Sequence, residues 1–324
     1  MQPLNTMSVR QENYRAIRRA VKTLGVATKK DVMQWTGLSF STCNNLMNDL
    51  VESRQMLTLQ EIRPGETGRP SLAYQLNAQY MLVLCVIIER RQAGSRLLLT
   101  VTDLYGQELK TAVHDRAEVD ETAVFDAVRE MTALYENIGM LGFSVPGIIA
   151  PDGTVLECDC GRLKGANLVQ RSMEELGLCA ICENDMNLMA YGMDEQGDCA
   201  ETGSVAVVAD YRDVPSGAGL VADGKILRGN TNFAGEISFL PAKELPHLER
   251  LAFQIACIAA VIDPALVAIS GDQCRPGDLA QIVRALQKWI PPEHCPEIRI
   301  LEDRAGGRKG LVRLCLEKME NGEL

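Results

Sequence analysis

The sequence has 324 residues and a formal net charge of −10, with 46% hydrophobic and 23% charged residues. This length predicts two or three domains, and the composition excludes a disordered or fibrous chain. No uninterrupted apolar run is longer than that of residues 81–88, which is too short to cross a bilayer. No secretory signal precedes it, so we expect a cytoplasmic protein with no membrane contact, whose eleven cysteines are reduced.

The net charge is divided unevenly along the chain. Residues 1–78 hold ten Lys/Arg and six Asp/Glu, a balance of +4, which leaves −14 for residues 79–324. DNA phosphates attract basic surfaces and repel acidic ones. We therefore expect the N-terminal segment to be the part of the molecule that approaches DNA.

Three helices are predicted in this basic segment. Apolar residues recur at helical spacing over residues 13–25. Thr28 is the predicted N-cap of the second helix, Gly37 the turn that follows it, and Ser39 the N-cap of the third. The second helix is expected to carry three apolar side chains inward: Val32, Met33 and Trp35.

The third helix combines an apolar face with an uncharged, hydrogen-bonding surface. Its apolar residues are Cys43, Leu46, Met47, Leu50 and Val51. Short polar side chains near a helix N-terminus suit the major groove, where base edges offer donors and acceptors. We predict that four of them contact DNA: Ser41, Thr42, Asn44 and Asn45.

Two strand-like stretches follow, residues 56–62 and 72–77, and the turn PGETGRP joins them. A hairpin after three helices is typical of a winged helix-turn-helix, which we predict for residues 1–78. Arg63 and Arg69 would then lie at the wing tip, within reach of phosphates or the minor groove. The alternative is a three-helix module that binds protein.

From residue 79 the pattern changes to strands that precede a crossover helix at residues 121–137. A second meander begins near residue 204, and a long apolar helix at residues 247–261 precedes another buried strand. This alternation predicts an α/β body after the N-terminal module.

Six motifs, in this order, resemble the ROK family, which groups bacterial sugar-responsive repressors with sugar kinases. They are GRPSLAYQLN (68–77), TDLYGQEL (102–109), FSVPGIIAPDGTV (143–155), ENDMNLMAYG (183–192), SGAGLVADGKILRGNTNFAGEI (216–237) and DPALVAISG (263–271). The resemblance covers nearly the whole chain. It implies a two-lobed, actin-like ATPase (ribonuclease H-like) fold behind the winged helix, with lobes at residues 79–190 and 191–324 and a last helix that packs back on the first lobe.

The resemblance also bears on catalysis. Kinases of the family carry an Asp and glycines in the first strand-turn, where Glu89, Arg90 and Arg91 put bulky side chains in this sequence. The turn at residues 216–219 keeps the glycines of the second phosphate motif, which a tight strand turn explains equally well. Asp185 occupies the position of the catalytic base, but a base without a phosphoryl donor transfers nothing. We expect no cofactor and no enzyme activity.

Sugar recognition in the family uses carboxylates and amides, and the resemblance assigns ligand binding to Asn184, Asp185 and Glu236. The alternative for these residues is a strand-end turn held by local side-chain bonds. Phe239 replaces the histidine that contacts sugar and zinc in the family, and the cysteine loop that completes the zinc site is absent. We therefore predict no metal site.

We expect the protein to be a DNA-binding transcriptional regulator that acts as a repressor. Its catalytically inactive body would sense a ligand and dimerise. Its expected partners are a double-stranded DNA operator and a sugar or sugar-phosphate effector. A homodimer, or a dimer of dimers, would place the winged helices on paired half-sites. The alternatives are an active sugar kinase with an accessory N-terminal domain and a DNA-binding scaffold without an effector.

Overall fold

The structure is a computed structural model that describes residues 6–60, 72–91, 94–194, 203–303 and 305–322. The chain divides into two compact units. The first unit comprises residues 1–82, 103–107 and 316–324, and the second comprises residues 83–102 and 108–315. Within the described ranges, every helix is too short or too polar to span a membrane.

The first unit begins with three helices and a small sheet. In chain order the elements are α1 (Thr6–Leu24), β1 (Ala27–Thr28), α2 (Lys29–Thr36), α3 (Phe40–Glu52), β2 (Met56–Gln60) and β3 (Leu72–Leu76). The strand order is β1-β3-β2, and β2 pairs antiparallel with β3, Met56 opposite Leu76. The predicted hairpin is therefore present, and β1 adds a strand that the sequence did not predict.

Local side-chain chemistry sets the ends of α2 and α3, as predicted. Thr28 and Asp31 form a reciprocal capping box at the start of α2. Gly37 ends that helix in the left-handed region at φ 71°, where a residue without Cβ meets no steric penalty. Ser39 caps α3 by accepting a hydrogen bond from the backbone N–H of Thr42 at 3.2 Å.

The core of this unit lies between the three helices and the sheet. Its buried residues include Ile17, Val21, Val32, Met47, Leu50 and Met56. The prediction that Trp35 points inward is wrong, because its side chain is 45% exposed. The helix α2 has only about two turns, and Val32, with Met33 at the edge, already covers the part of the core that it meets.

The first half of the second unit forms a mixed sheet flanked by helices. Its elements are β4 (Leu82–Arg91), β5 (Gly94–Thr102), β6 (Glu108–Arg116), α4 (Glu121–Leu134), β7 (Ile138–Val145), β8 (Gly147–Ile149), β9 (Val155–Cys158), α5 (Leu168–Leu176) and β10 (Cys179–Asn184). The sheet order is β10-β7-β4-β5-β6, and β8 and β9 form a separate ribbon. The strands β4, β5 and β6 are antiparallel, whereas β7 and β10 are parallel.

The second half repeats this plan. Its elements are α6 (Asp185–Asp194), β11 (Val205–Asp210), β12 (Ala218–Ala222), β13 (Lys225–Ile226), α7 (His247–Ile262), β14 (Leu266–Gly271), α8 (Leu279–Leu286), β15 (Glu297–Ile300) and α9 (Ala305–Asn321). The sheet order is β13-β12-β11-β14-β15, with β11, β14 and β15 parallel. The helices α7 and α8 pack on this sheet through a buried aliphatic core.

Two glycines show how tightly α6 is held in the second unit. A Cβ on Gly219 of β12 would lie 1.8 Å from the backbone oxygen of Met186, and one on Gly310 of α9 would lie 2.0 Å from that of Leu188. No Cβ fits at either distance, so β12 and α9 approach the backbone of α6 as only glycine allows. This contact fixes the start of α6, where Asp185 lies.

Candidate functional site

Two surfaces carry the residues that the sequence singled out, and the first is the N-terminal half of α3. Ser41 and Asn45 are exposed and lie one turn apart on this helix. Thr42 and Asn44 are half-buried. Thr42 shares a hydrogen bond of 2.9 Å with the capping hydroxyl of Ser39. Ser41 and Asn45 are therefore the most accessible of the four predicted contact residues.

Lys29, which was not singled out in the sequence, hydrogen-bonds to two asparagines of α3. Its Nζ donates to Oδ1 of Asn44 and to Oδ1 of Asn48, both at 2.7 Å. The ammonium also lies 5.4 Å from the ring centroid of Tyr74 on β3. Since both amide oxygens accept from Lys29, the amide N–H groups are the part of these side chains left to donate to a partner.

The first carboxylate of α3 is neutralised within the unit. Asp49 accepts hydrogen bonds from Tyr14 at 2.6 Å and from Arg10 at 2.8 Å. Both bonds lower the pKa of Asp49 below its usual value, and the bond from Tyr14 has the larger effect. The helix therefore presents no unpaired negative charge among its described side chains near Asn45. Arg63 and Arg69, predicted at the wing tip, lie outside the described residues.

The second surface is a pocket of about 850 Å³ in the second unit. All three predicted ligand-binding residues line it: Asn184, Asp185 and Glu236. Asn184 ends β10, Asp185 begins α6, and Glu236 follows the tight turn at Gly235. The fold thus brings together positions that are 51 residues apart along the chain (236 minus 185), as the prediction required, although ligand binding itself stays a prediction.

Asn184 is largely engaged by its own neighbourhood. Its Oδ1 accepts from the backbone N–H groups of Met186 and Asn187, at 2.9 and 3.0 Å, and its Nδ2 donates to the backbone oxygen of Gly147 at 2.8 Å. It caps the start of α6 and ties it to β8. One amide hydrogen remains for a ligand, so we expect Asn184 to act chiefly by positioning Asp185.

The remaining lining of the pocket carries both signs of charge. Its carboxylates are Glu157, Asp159, Asp185, Asp213, Glu236 and Asp272, and its guanidinium groups are Arg90, Arg91 and Arg212. Burial, together with the carboxylates of Asp159, Glu157 and Asp185, raises the pKa of Glu236. The pocket therefore offers hydrogen-bond acceptors on one part of its wall and cationic donors on another.

The middle of the chain, residues 94–247, matches the sequence profile of the ROK family. The protein carries a ROK family domain. This confirms the ROK family domain that the six motifs indicated, and we call the second unit the ROK unit below.

Two curated proteins are similar in sequence. N-acetyl-D-glucosamine kinase of Vibrio cholerae serotype O1 is 29% identical over 154 residues, which are 47% of this chain and 50% of the kinase. The DNA-binding transcriptional repressor Mlc of Escherichia coli K12 is 21% identical over 247 residues, which are 73% of this chain and 59% of the repressor. The matched part of the chain thus spans little more than half the length of these relatives.

One solved structure is similar over nearly the whole chain. It is a ROK family transcriptional regulator, a homolog of the E. coli Mlc protein. It superposes with a TM-score of 0.72, covers 98% of this chain and 100% of its own, and is 15% identical. At this identity the similarity establishes the shared fold.

Phe239, at the position of the family's histidine, lines the pocket of the ROK unit with 67% of its side chain exposed. Its ring lies 5.2 Å from that of Phe233, which is also exposed. The ring of Phe239 on the wall of a polar pocket, with the ring of Phe233 packed beside it, offers an apolar face for ligand C–H groups. Sequence reasoning identified the lost histidine but not this second aromatic residue.

An ion pair beside the pocket, between a buried carboxylate and a half-buried guanidinium group, was not predicted from the sequence. Glu183, the residue before Asn184, is buried and accepts from Arg228 at 2.6–2.7 Å. Its other oxygen accepts from Asn187 at 3.0 Å and from the backbone of Asn184 at 2.9 Å. The pair joins the end of β10 to the segment after β13, and so helps to hold the two sides of the site together.

Glu236→Gln should stabilise the protein at neutral pH. A carboxyl group whose pKa is raised by folding holds its proton more tightly in the folded state, so stability falls as the pH rises from the ordinary pKa through the raised one. The glutamine side chain does not ionise, so the variant escapes this loss of stability at higher pH. In thermal unfolding we expect a gain of about one or two degrees near pH 7.5 and almost none near pH 4.

The exposed Glu244 supplies the matched control, because its replacement by glutamine removes one carboxylate from an open surface. Glu244→Gln should leave the midpoint unchanged at both pH values. A Glu236→Gln variant that is equally destabilised at both pH values would contradict the assigned burial.

Proposed function

We propose that this protein is a DNA-binding transcriptional repressor of the ROK type, whose ROK unit senses a sugar or sugar phosphate and performs no phosphoryl transfer. The observation that carries this proposal is the surface of α3. Ser41 and Asn45 are exposed on its N-terminal half, and the nearest carboxylate, Asp49, is paired with Arg10. Such a surface can enter the major groove without repelling the phosphates.

The N-terminal elements act as a winged helix-turn-helix. Three helices followed by the antiparallel hairpin β2–β3 have the element order of that motif. Lys29 holds the oxygens of Asn44 and Asn48, and the amide N–H groups then donate to base acceptors. Arg63 and Arg69 contact the backbone or the minor groove from the wing.

The pocket of the ROK unit binds the effector. Asp185 and Glu236 accept hydrogen bonds from ligand hydroxyls, and Phe239 covers an apolar face of the ring. Arg90, Arg91 and Arg212 bind an anionic substituent such as a phosphate. Their presence on the same pocket favours a sugar phosphate over a neutral sugar.

Ligand binding changes DNA affinity through a homodimer. Two recognition helices on one dimer read two half-sites at a fixed separation. An effector that binds more tightly to one arrangement of the dimer shifts the population toward that arrangement. The size of the shift is set by the difference between the effector's affinities for the two arrangements. Thermal-shift measurement with sugars and sugar phosphates tests the sensor: stabilisation is expected, and its complete absence favours a scaffold without an effector.

The second candidate is a sugar kinase with an accessory N-terminal domain. The 29% identity to N-acetyl-D-glucosamine kinase and the position of Asp185 in the pocket favour it. Arg90 and Arg91 speak against it, since they line the pocket at the strand end where the family's phosphate turn has glycines. Coupled ADP release over a panel of hexoses and amino sugars separates the two functions, and turnover abolished by Asp185→Asn would establish the kinase.

A further inference from the structure

Three side chains that can bind a metal meet in the second sheet of the ROK unit. Asp210 ends β11, His247 begins α7, and Cys274 lies in the segment after β14. One potential ligand atom from each lies within 4.8 Å of those of the other two. This cluster lies at neither of the two places where the family resemblance located zinc ligands, which are the position of Phe239 and the absent cysteine loop.

The fold leaves little freedom in how these residues meet. β11 and β14 are parallel neighbours, with Asp210 opposite Gly271. A Cβ on Gly271 would lie 1.9 Å from the backbone oxygen of Asp210. The backbone N–H groups of Asp272 and Gln273 donate to that same oxygen at 3.2 and 3.3 Å. The segment after β14 therefore wraps around the end of β11 and brings Cys274 to the Asp210 side chain.

The Asp210 carboxylate is buried with few hydrogen-bond donors around it. The residue is 3% exposed, and its Oδ1 lies 2.7 Å from Nε2 of His247. No nitrogen or oxygen donor of the described residues reaches its buried Oδ2, and the thiol of Cys274 is the side chain that hydrogen-bonds to this carboxylate from the other side. A thiol is a weak donor, so a buried carboxylate with this partner is poorly satisfied, and a bound cation would satisfy it better.

The donor set selects the kind of cation. Magnesium and calcium take oxygen ligands, whereas a thiolate with an imidazole favours zinc or another late first-row ion. Around tetrahedral zinc, with bonds of roughly 2.0–2.3 Å, neighbouring ligand atoms lie about 3.3–3.6 Å apart. The observed spread of up to 4.8 Å, with one pair at 2.7 Å, brackets that separation. Three protein ligands leave one position for water.

We propose that Asp210, His247 and Cys274 form a Zn²⁺ site. Without the ion, Asp210 and His247 form a hydrogen bond. Binding places the metal among the three side chains, releases the Cys274 thiol proton to solvent, and leaves the ring proton of His247 on Nδ1 so that the Nε2 lone pair binds the ion. The ion clamps the end of β11 to the start of α7 and to the segment after β14. Tyr211, Arg212 and Asp272, which line the pocket, flank these ligands in sequence, so metal occupancy also steadies that wall.

Metal titration of the full-length, chelator-treated protein tests the site. We expect one Zn²⁺ to bind per chain, and Co²⁺ to give a thiolate-to-metal charge-transfer band together with the visible bands of a tetrahedral ion. His247→Gln and Cys274→Ser should each weaken Zn²⁺ binding by more than about tenfold, and Cys274→Ser should abolish the charge-transfer band.

His294→Gln and Cys295→Ser are matched controls, because they change the same residue types at a neighbouring pair outside the cluster. Both should bind Zn²⁺ like the unaltered protein. Circular dichroism confirms that each variant is folded. If Co²⁺ on the unaltered protein gives no charge-transfer band, or if the control variants lose Zn²⁺ as the cluster variants do, the proposal is wrong, whether or not the cluster variants fold.

Discussion

Replacing Asn45 with glutamate will weaken specific DNA binding by about a hundredfold or more, a loss of roughly 2.7 kcal/mol. Asn45 is exposed on α3, and the nearest carboxylate of this helix is already paired with Arg10. A glutamate at position 45 both removes the amide donors and puts an unpaired negative charge against the phosphates. Fluorescence anisotropy with a labelled operator fragment measures the change.

Gln11→Glu is the control for charge alone. Gln11 is exposed on α1, and its replacement adds the same negative charge to the N-terminal unit without altering α3. We expect this variant to bind DNA nearly as tightly as the unaltered protein. Equal weakening by both substitutions would show that net charge, and not the surface of α3, governs binding.

Gly219→Ala will destabilise the ROK unit by about 3 kcal/mol or more. Its new Cβ would lie 1.8 Å from the backbone oxygen of Met186 and 2.6 Å from the backbone N of Asn187. Both are backbone atoms, so β12 and α6 must separate and the packing between them must loosen. For a unit of this size, we expect the midpoint of thermal unfolding to fall by about 6–12 °C.

Gly217→Ala provides the matched control two residues earlier. No atom lies within 4 Å of a Cβ at Gly217, so alanine should be tolerated with almost no change in the midpoint. Calorimetry of the two variants distinguishes a packing role of Gly219 from a phosphate-binding one. Equal tolerance of both substitutions would contradict the close approach of β12 to α6.

Much of the local structure could be predicted from the sequence, because its causes are local. The capping box at Thr28, the left-handed turn at Gly37 and the cap at Ser39 each depend on residues within a few positions of one another. The strand β1 could not, since it pairs with β3 far along the chain. The exposure of Trp35 could not either, since it depends on which side chains of α2 meet the core. The family motifs supplied what periodicity alone could not, which is the fold of the ROK unit.

The candidate sites were predictable only in part, for the same reason. The family resemblance singled out Asn184, Asp185 and Glu236, and the structure brings all three to one pocket. The ion pair beside them could not be seen in the sequence, because Arg228 lies 45 positions after Glu183. The same holds for Asp210 and His247, which are 37 positions apart and are joined by the crossover between strands rather than by any local spacing.

DNase I footprinting on fragments from the source genome tests the central proposal most directly. If the protein is a regulator of the ROK type, it will protect a discrete region at physiological salt, with two half-sites separated by about one helical turn or a multiple of it. Asn45→Glu will remove that protection. No protected region on any fragment, combined with hexose-dependent ADP release that Asp185→Asn abolishes, would contradict it.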